Sequence, residues 1–422
     1  MRYAVMGATV DQVRSVGATD IKEARSTGII FATLTEEQAS RLRSQGCTVS
    51  KVGEVKAAVM PPIITPPVPV AAVPTYTPEQ LTRIVGMEDL RSIFRPLLYG
   101  EGFTLAMIDT GIRETHEMIS GRVVYSKNYT SDPMRDGFDH GTGTCSIAVA
   151  VAPLCNILNL KVLNDKGEGT EEEVVLAIDD CIDFQDSRPE IAPSVINLSL
   201  GSPDDGNPNN ILRVACRAAI DKGIWIASAG GNSGPAPGTI MSPACERYVM
   251  AVGSLKYLAS EKSFILSNFS SRGPTLEGFA KPDVVMFGED IVTASSSSDT
   301  ATIAKSGTSF ATPFVSGFGI LYREGTYRLA VAAQPISGIS IPVTWGVAVQ
   351  DIVDKYLPLL CIKPEGVSLG KDNDYGYGLA FGPLVLRALG FGAAQAVDIS
   401  ALLLPVVAIG MMGMLMSTMM KG

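Results

Sequence analysis

Only two histidines occur among the 422 residues of this chain. They are His116 and His140, and His140 stands in Asp139-His140-Gly141-Thr142-Gly143. The C-terminal half carries Ser306-Gly307-Thr308-Ser309-Phe310-Ala311-Thr312-Pro313. A serine hydroxyl is a weak nucleophile until a base of near-neutral pKa takes its proton, and histidine is the usual base. A third group, Asp109 in Ile108-Asp109-Thr110-Gly111, could hold an imidazole in one tautomer and stabilise the imidazolium. The order Asp, His, Ser is one of the chain orders in which this trio occurs. The chemistry implied is acyl transfer, with Ser309 attacking a carbonyl carbon while a histidine takes its proton. His116, in Glu114-Thr115-His116-Glu117-Met118, is the rival base.

Each of these residues needs an element to aim it. The apolar run Phe103 to Ile108 reads as a buried strand that ends at Asp109, and Gly111 lets the chain turn sharply there. Thr142 to Val151 is small and apolar and suits a buried helix, which places His140 at a helix start. Ser309 sits in a small-residue loop feeding another buried helix, with Pro313 expected in the first turn, where proline is tolerated. Backbone N–H groups at such a terminus can stabilise developing negative charge.

These three motifs resemble those of the subtilisin-like serine proteases, over roughly residues 78 to 390. The resemblance extends to Asn232 in Ser228-Ala229-Gly230-Gly231-Asn232-Ser233-Gly234, which is similar to the family's oxyanion-hole segment. It extends also to Ser199-Leu200-Gly201, similar to the strand that pairs with substrate. It implies a serine endopeptidase in which Asp109, His140 and Ser309 react, and Asn232 with the Ser309 N–H holds the oxyanion. Polypeptide substrate would lie as an extended strand beside Ser199, Leu200 and Gly201 and beside Ser228, Ala229 and Gly230, with an apolar or small P1 residue. His116 corresponds to a non-catalytic histidine. Departures are Gly143 where a second histidine is frequent, Cys145 and Ser146 in place of other small residues, and Phe310 after the nucleophile in place of a common methionine.

The implied fold class is α/β: a mostly parallel sheet with helices on both faces, plus a small ferredoxin-like α+β N-terminal domain. Residues 1–57 carry the second part. Tyr3–Gly7, Ile21–Arg25, Ile29–Leu34 and Cys47–Val55 read as strands. Val10–Val16 and a helix opened by the capping box Thr35-Glu36-Glu37-Gln38 alternate with them in the order βαββαβ. The unit resembles the family's inhibitory propeptide. Residues 58–78 are rich in proline, from Pro61-Pro62 to Pro78, and form an extended linker. Self-cleavage is expected between about Ala57 and Tyr76. From residue 79 to 392 apolar strands alternate with helices, among them Thr170–Phe184 with Glu173 in a capping box and Asn210–Lys222. That alternation gives a parallel sheet covered on both faces, with motif residues at the carboxyl ends of its strands. The domain closes at Asp374-Tyr375-Gly376-Tyr377-Gly378-Leu379.

Composition excludes other classes. The net charge is −9 and the pI about 5.0, which opposes nucleic acid as a partner. Seven cysteines fall singly, with no Cys-x-x-Cys pair, so zinc is not expected; free buried thiols are. No metal site is legible, and calcium at a site elsewhere stays open. The calcium-binding insertion frequent in the family after the catalytic histidine is missing between His140 and Pro153, and Glu171-Glu172-Glu173 fits a solvated helix start. Ile399 to Met420 carries no charge and is long enough to span a bilayer, for which about 20 apolar residues suffice. A C-terminal membrane anchor is therefore expected, with no signal-peptide pattern at Met1-Arg2-Tyr3. A second reading makes the protein a membrane- or assembly-associated structural component whose protease fold acts only on its own linker or not at all.

Overall fold

The computed structural model describes residues 1–58, 75–85, 97–337, 361–364, 366–368 and 370–380. The uncharged tail at 399–420 and most of the proline-rich linker lie outside these residues.

The chain begins with β1 (Arg2–Met6), α1 (Val10–Ser15), β2 (Thr19–Ala24), β3 (Ile29–Thr33), α2 (Glu36–Ser44) and β4 (Thr48–Lys51). The strands form an antiparallel sheet in the order β2-β3-β1-β4, the arrangement of a ferredoxin-like unit. Thr9 and Thr35 each cap a helix through a reciprocal box with Gln12 and Gln38. Strand side chains alternate between faces. Tyr3, Val5, Ile30 and Ala32 therefore turn toward α1 and α2 and share a core with Val13 and Leu42. Ala4, Ile29 and Phe31 point the other way, into the core of the larger body.

The expected last strand, Cys47–Val55, divides. After β4 the chain turns at Val52-Gly53, and β5 (Glu54–Ala57) leaves the sheet altogether. Gly53 explains the break: its N–H donates to Glu171 (2.9 Å) and its carbonyl accepts from the Glu171 N–H (3.0 Å). The backbone is thus fixed to the larger body before β5 begins.

That body contains α3 (Pro78–Ile84), β6 (Thr104–Asp109), β7 (Val123–Asn128), α4 (Gly141–Val151), β8 (Asn156–Lys161), β9 (Glu168–Thr170) and α5 (Glu171–Ser187). There follow β10 (Val195–Leu198), β11 (Leu200–Gly201), α6 (Ile211–Asp221), β12 (Trp225–Ala229), β13 (Met250–Leu258), β14 (Ser263–Leu266), β15 (Val284–Phe287), β16 (Ile291–Ala294) and β17 (Thr302–Lys305). The last elements are α7 (Thr308–Ser337), β18 (Cys361–Ile362) and β19 (Leu379–Ala380). The main sheet runs β18-β19-β15-β13-β12-β10-β6-β8-β7, with β14 beside β13. From β15 to β7 its neighbours pair in parallel. Every residue of β6, β10 and β12 is buried, as expected of parallel strands covered on both faces. One face packs on α3, α4 and α7, the other on α5 and α6. The chain passes from β8 across β6 to β10, so the carboxyl end of β6, where Asp109 stands, lies at the reversal of strand order where such sheets open a crevice.

The start of α5 is not solvated. Glu171 is 4% and Glu172 6% exposed, because the N-terminal unit covers them. Arg2 grips Glu172 through Nε (2.5 Å) and Nη2 (2.7 Å), and Lys22 adds a contact at 3.0 Å. The Thr27 N–H donates to Asp179 (2.7 Å). Acidic residues in the first turn also suit the positive end of the helix dipole. Here they serve a second purpose, as acceptors for the donors of the N-terminal unit. Among the described residues no helix is long and apolar enough to cross a membrane.

Candidate active site

Asp109 and His140 meet at the carboxyl end of β6. His140 Nδ1 lies 2.6 Å from Asp109 Oδ1, and both side chains are 1% exposed. Asp109 is itself held by the Thr110 N–H (2.7 Å) and the Thr144 hydroxyl (3.2 Å). Close packing demands glycine on both sides. A Cβ at Gly141 would lie 2.1 Å from the Gly111 carbonyl, and one at Gly143 2.8 Å from Thr293 Oγ1. A side chain at 143 would therefore have to shift Thr293 in β16, which accounts for glycine there.

Two positioning groups had no sequence signal. Asp136, buried before His140, accepts from the Thr110 hydroxyl (2.8 Å), the His140 N–H (3.2 Å) and the Thr142 N–H (2.8 Å). It caps α4 and fastens it to the Asp109 turn. Lys161, ending β8 with no exposure, donates to the Thr110 carbonyl (2.6 Å) and the Leu163 carbonyl (2.9 Å). Neither sits in a recognisable motif, since each acts through backbone that only the fold brings near.

His116 is also fully buried, but its ring is committed elsewhere. Nε2 lies 2.8 Å from the Ala301 carbonyl, and Nδ1 accepts from the Met118 N–H at 3.2 Å. It braces a loop. Cys145, one turn into α4, is no alternative nucleophile: burial, then the charges near it, push its thiol well above the ordinary range. All seven cysteines are free thiols, six of them buried.

Ser309 is the second residue of α7. The helix starts earlier than the proline implied, so Pro313 falls in its second turn rather than its first. Proline has no N–H to give the carbonyl one turn back. The Ser309 carbonyl instead accepts from the Ser199 hydroxyl at 2.9 Å, which ties the serine to the strand next to the cleft.

The chain's own segment fills that cleft. β5 pairs antiparallel with β11, Ala57 opposite Leu200 and Lys56 opposite Gly201. On its other edge it pairs with β9, Val55 opposite Gly169. The second flank is therefore β9, not Ser228-Ala229-Gly230. Ser228 and Ala229 are buried inside β12, and the Gly230 N–H is spent on the Val252 carbonyl (2.8 Å). The Ala58 N–H donates to the Ser199 carbonyl (3.1 Å). The Ala58 carbonyl oxygen accepts from Asn232 Nδ2 (2.7 Å) and from the Ser309 hydroxyl (2.5 Å). Asn232 is aimed by its other end, where Oδ1 accepts from the Thr308 N–H (2.9 Å) and hydroxyl (3.0 Å).

With its hydroxyl against Ala58 and within 3.0 Å of the Ser199 carbonyl, Ser309 makes no hydrogen bond to His140. The buried Nε2 of His140 has no partner among the described residues. One hydroxyl proton serves one acceptor at a time, and here it goes to the Ala58 or the Ser199 carbonyl rather than to His140. Beside Ala58 runs a cavity of roughly 710 Å3, bordered by Gly231, Gly238, Ile240, Met241 and Leu276. Among the described residues no cluster of three or more His, Cys, Asp or Glu side chains is arranged to hold a metal.

Residues 100–339 match the sequence profile of peptidase S8, the subtilase family. The serine protease AprX of Bacillus subtilis (strain 168) is 32% identical over 254 residues, covering 53% of this chain and 57% of that protein. Subtilisin-like protease 1 of Arthroderma otae is 33% identical over 239 residues, covering 55% of this chain and 46% of that one. The chain thus spans about half the length of these relatives. Among solved structures, S41 psychrophilic protease superposes with a TM-score of 0.55 at 25% identity, and Sphericase with 0.54 at 24%. Each alignment covers 70% of this chain and 96% of the other.

Proposed function

The chain belongs to the subtilase family, and on that premise we propose that it is a serine endopeptidase made as a self-processing zymogen. Ser309 is the nucleophile, His140 its general base, Asp109 the group that orients and stabilises the imidazolium, and Asn232 an oxyanion donor. The observation that carries this reading is the Ala58 carbonyl, gripped by Asn232 and Ser309 while its N–H is held by Ser199. A carbonyl held so is already polarised, and the same donors strengthen as its oxygen becomes an anion. Attack on the Ala58 carbon would break the Ala58–Val59 bond, pass the Ser309 proton through His140 to the leaving amine, and leave an acyl-enzyme for water to hydrolyse. Residues 1–58 then become an inhibitor whose tail fills the cleft until it departs.

External polypeptides would bind in the same register, as a strand between β11 and β9. An apolar or small residue would enter the cavity beside Ala58. The tail at 399–420 would hold the enzyme at a membrane as part of this reading. The alternative of an inert assembly component has no support in the geometry. The test is intact mass and N-terminal sequencing of wild type beside Ser309→Ala, each treated with a serine-reactive fluorophosphonate. Wild type is expected to yield a fragment beginning at Val59 and one label on Ser309, and the variant to stay whole and unlabelled. A cut elsewhere would refute the register, and an uncut, unlabelled wild type the activity.

A further inference from the structure

Asp139, immediately before His140, has a backbone φ of +63°, a region that aspartate tolerates better than most side chains. Its side chain reaches away from the helix toward another loop. Oδ1 accepts from the Ser296 N–H at 2.5 Å, and Oδ2 lies 3.1 Å from Lys305 Nζ, with the pair only 28% and 13% exposed. Lys305 is the last residue of β17, and the chain runs from it directly into Ser306-Gly307-Thr308-Ser309. The same ammonium stands 6.0 Å from the centre of the buried Phe310 ring, which meets the His140 ring edge-on at 5.4 Å. The ion pair thus joins the residue before the base to the strand leading into the nucleophile, and Phe310 fills the space between.

We propose that the Asp139–Lys305 ion pair, backed by Phe310, is a latch that sets the reach between Ser309 and His140 after the Ala58 carbonyl leaves. Both residues are positioning residues, and the inference rests on the triad reading above. The need for such a device is visible in the closed state, where Nε2 of His140 has no partner and Ser309 must still turn to it. The helices that follow His140 and Ser309 pack on each other in the core, and the Ala294 N–H donates to the Ser146 hydroxyl (3.1 Å); the ion pair between 139 and 305 adds a tie at the loops that carry the two groups themselves. A half-buried pair is screened less than a surface one. Burial alone would raise the Asp139 carboxyl, but Lys305 and the Ser296 N–H outweigh it and hold it below its ordinary value. The latch is therefore closed at neutral pH.

Of the charged groups around His140, Asp109 from β6 meets its ring, Asp136 from its own loop meets its N–H, and Asp139 and Lys305 lie beyond it as a pair, with Phe310 between the Lys305 ammonium and the ring. Lys161 reaches the Thr110 carbonyl from β8, and Arg113 reaches the Ser296 carbonyl. Removing one member of the ion pair exposes His140 to the other. Lys305→Met should move the acid limb of the kcat/KM profile upward, and Asp139→Asn downward, each by a few tenths of a pH unit to about one. Asparagine keeps the positive φ, so the second change is electrostatic.

The experiment uses the full chain and a chromogenic peptide ending in Val-Lys-Ala-Ala, with kcat and KM separated across pH. Each single variant should lose about 5- to 20-fold in kcat with KM within about twofold, as expected for misplaced reacting groups. The double variant should lose no more than the worse single, with its acid limb near that of wild type. Phe310→Leu should lower kcat without moving the limb. If wild type turns over while both single variants keep its kcat and acid limb, or if the losses multiply, the latch is wrong and the endopeptidase reading stands. A wild type as inert as Ser309→Ala overturns both.

Discussion

Asn232 offers the sharpest test of the chemistry, because its two ends do different things. Nδ2 lies 2.7 Å from the Ala58 carbonyl oxygen, while Oδ1 takes both the N–H and the hydroxyl of Thr308. Asn232→Ala removes the donor and should lower kcat by about 10²–10³, or about 2.7–4 kcal/mol; that range was measured in a subtilisin. It also strands two donors of the fully buried Thr308, at about 1–3 kcal/mol of folding stability for an unmet buried group. Asn232→Asp separates these effects. It keeps the acceptor for Thr308 but faces the developing oxyanion with a second oxygen, so kcat should fall at least as far while the melting temperature is largely retained. Thr308→Val loosens the aim of Asn232 and deprives the Gly231 N–H of its acceptor (3.2 Å). One hydrogen bond, at about 1 kcal/mol, corresponds to a kcat loss of about five- to tenfold. The assay is steady-state kcat beside thermal melting. If Asn232→Ala and Asn232→Asp both stay within about threefold of wild type, Asn232 is structural and the oxyanion argument fails. A Thr308→Val variant worse than Asn232→Ala would be equally damaging.

Two further outcomes follow from the N-terminal unit and the tail. In the docked state Arg2 and Lys22 overcome the effect of burial and hold the Glu172 carboxyl below its usual value, so docking is strengthened above the ordinary carboxylate pKa of about 4.3 and weakened as pH falls through the docked value. Asp179 opposes this: burial exceeds the help from Thr27 and raises its carboxyl, so its ionisation costs docking as pH rises. With Arg2 and Lys22 both on Glu172, release of the cleaved unit should speed up several-fold from pH 6 to 4, and Arg2→Gln should flatten that dependence; a stopped-flow dissociation rate independent of pH would contradict it. Removing residues 399–422 should shift the protein from the membrane pellet to the supernatant on fractionation, and identical partitioning would remove the anchor from the reading.

The sequence by itself determined the family and most of the scaffold. Two histidines narrow the choice of base. The runs at Phe103–Ile108 and Ile224–Ala229 are largely apolar on both faces, as suits a parallel sheet covered on both sides. Thr35, Thr170 and Asn210 announce helix starts through local hydrogen bonds that need no tertiary partner. The reading failed where a residue's job depends on chain far away in sequence. Glu171 and Glu172 look like any acidic helix start until the N-terminal unit covers them. Pro313 looked like a first-turn proline because nothing local says that Ser199 will satisfy the carbonyl it strands. Cys47–Val55 reads as one strand because β-propensity cannot register that Gly53 is pinned to Glu171. The tertiary structure alone decided which bond faces the serine: Ala58 is an unremarkable alanine in the sequence, and it is singled out by two donors to its carbonyl, Asn232 and Ser309, and by the Ser199 carbonyl that accepts from its N–H, groups that converge only in the folded chain. Periodicity and capping are encoded within a few residues and can be read directly, whereas convergence is a property of the folded chain.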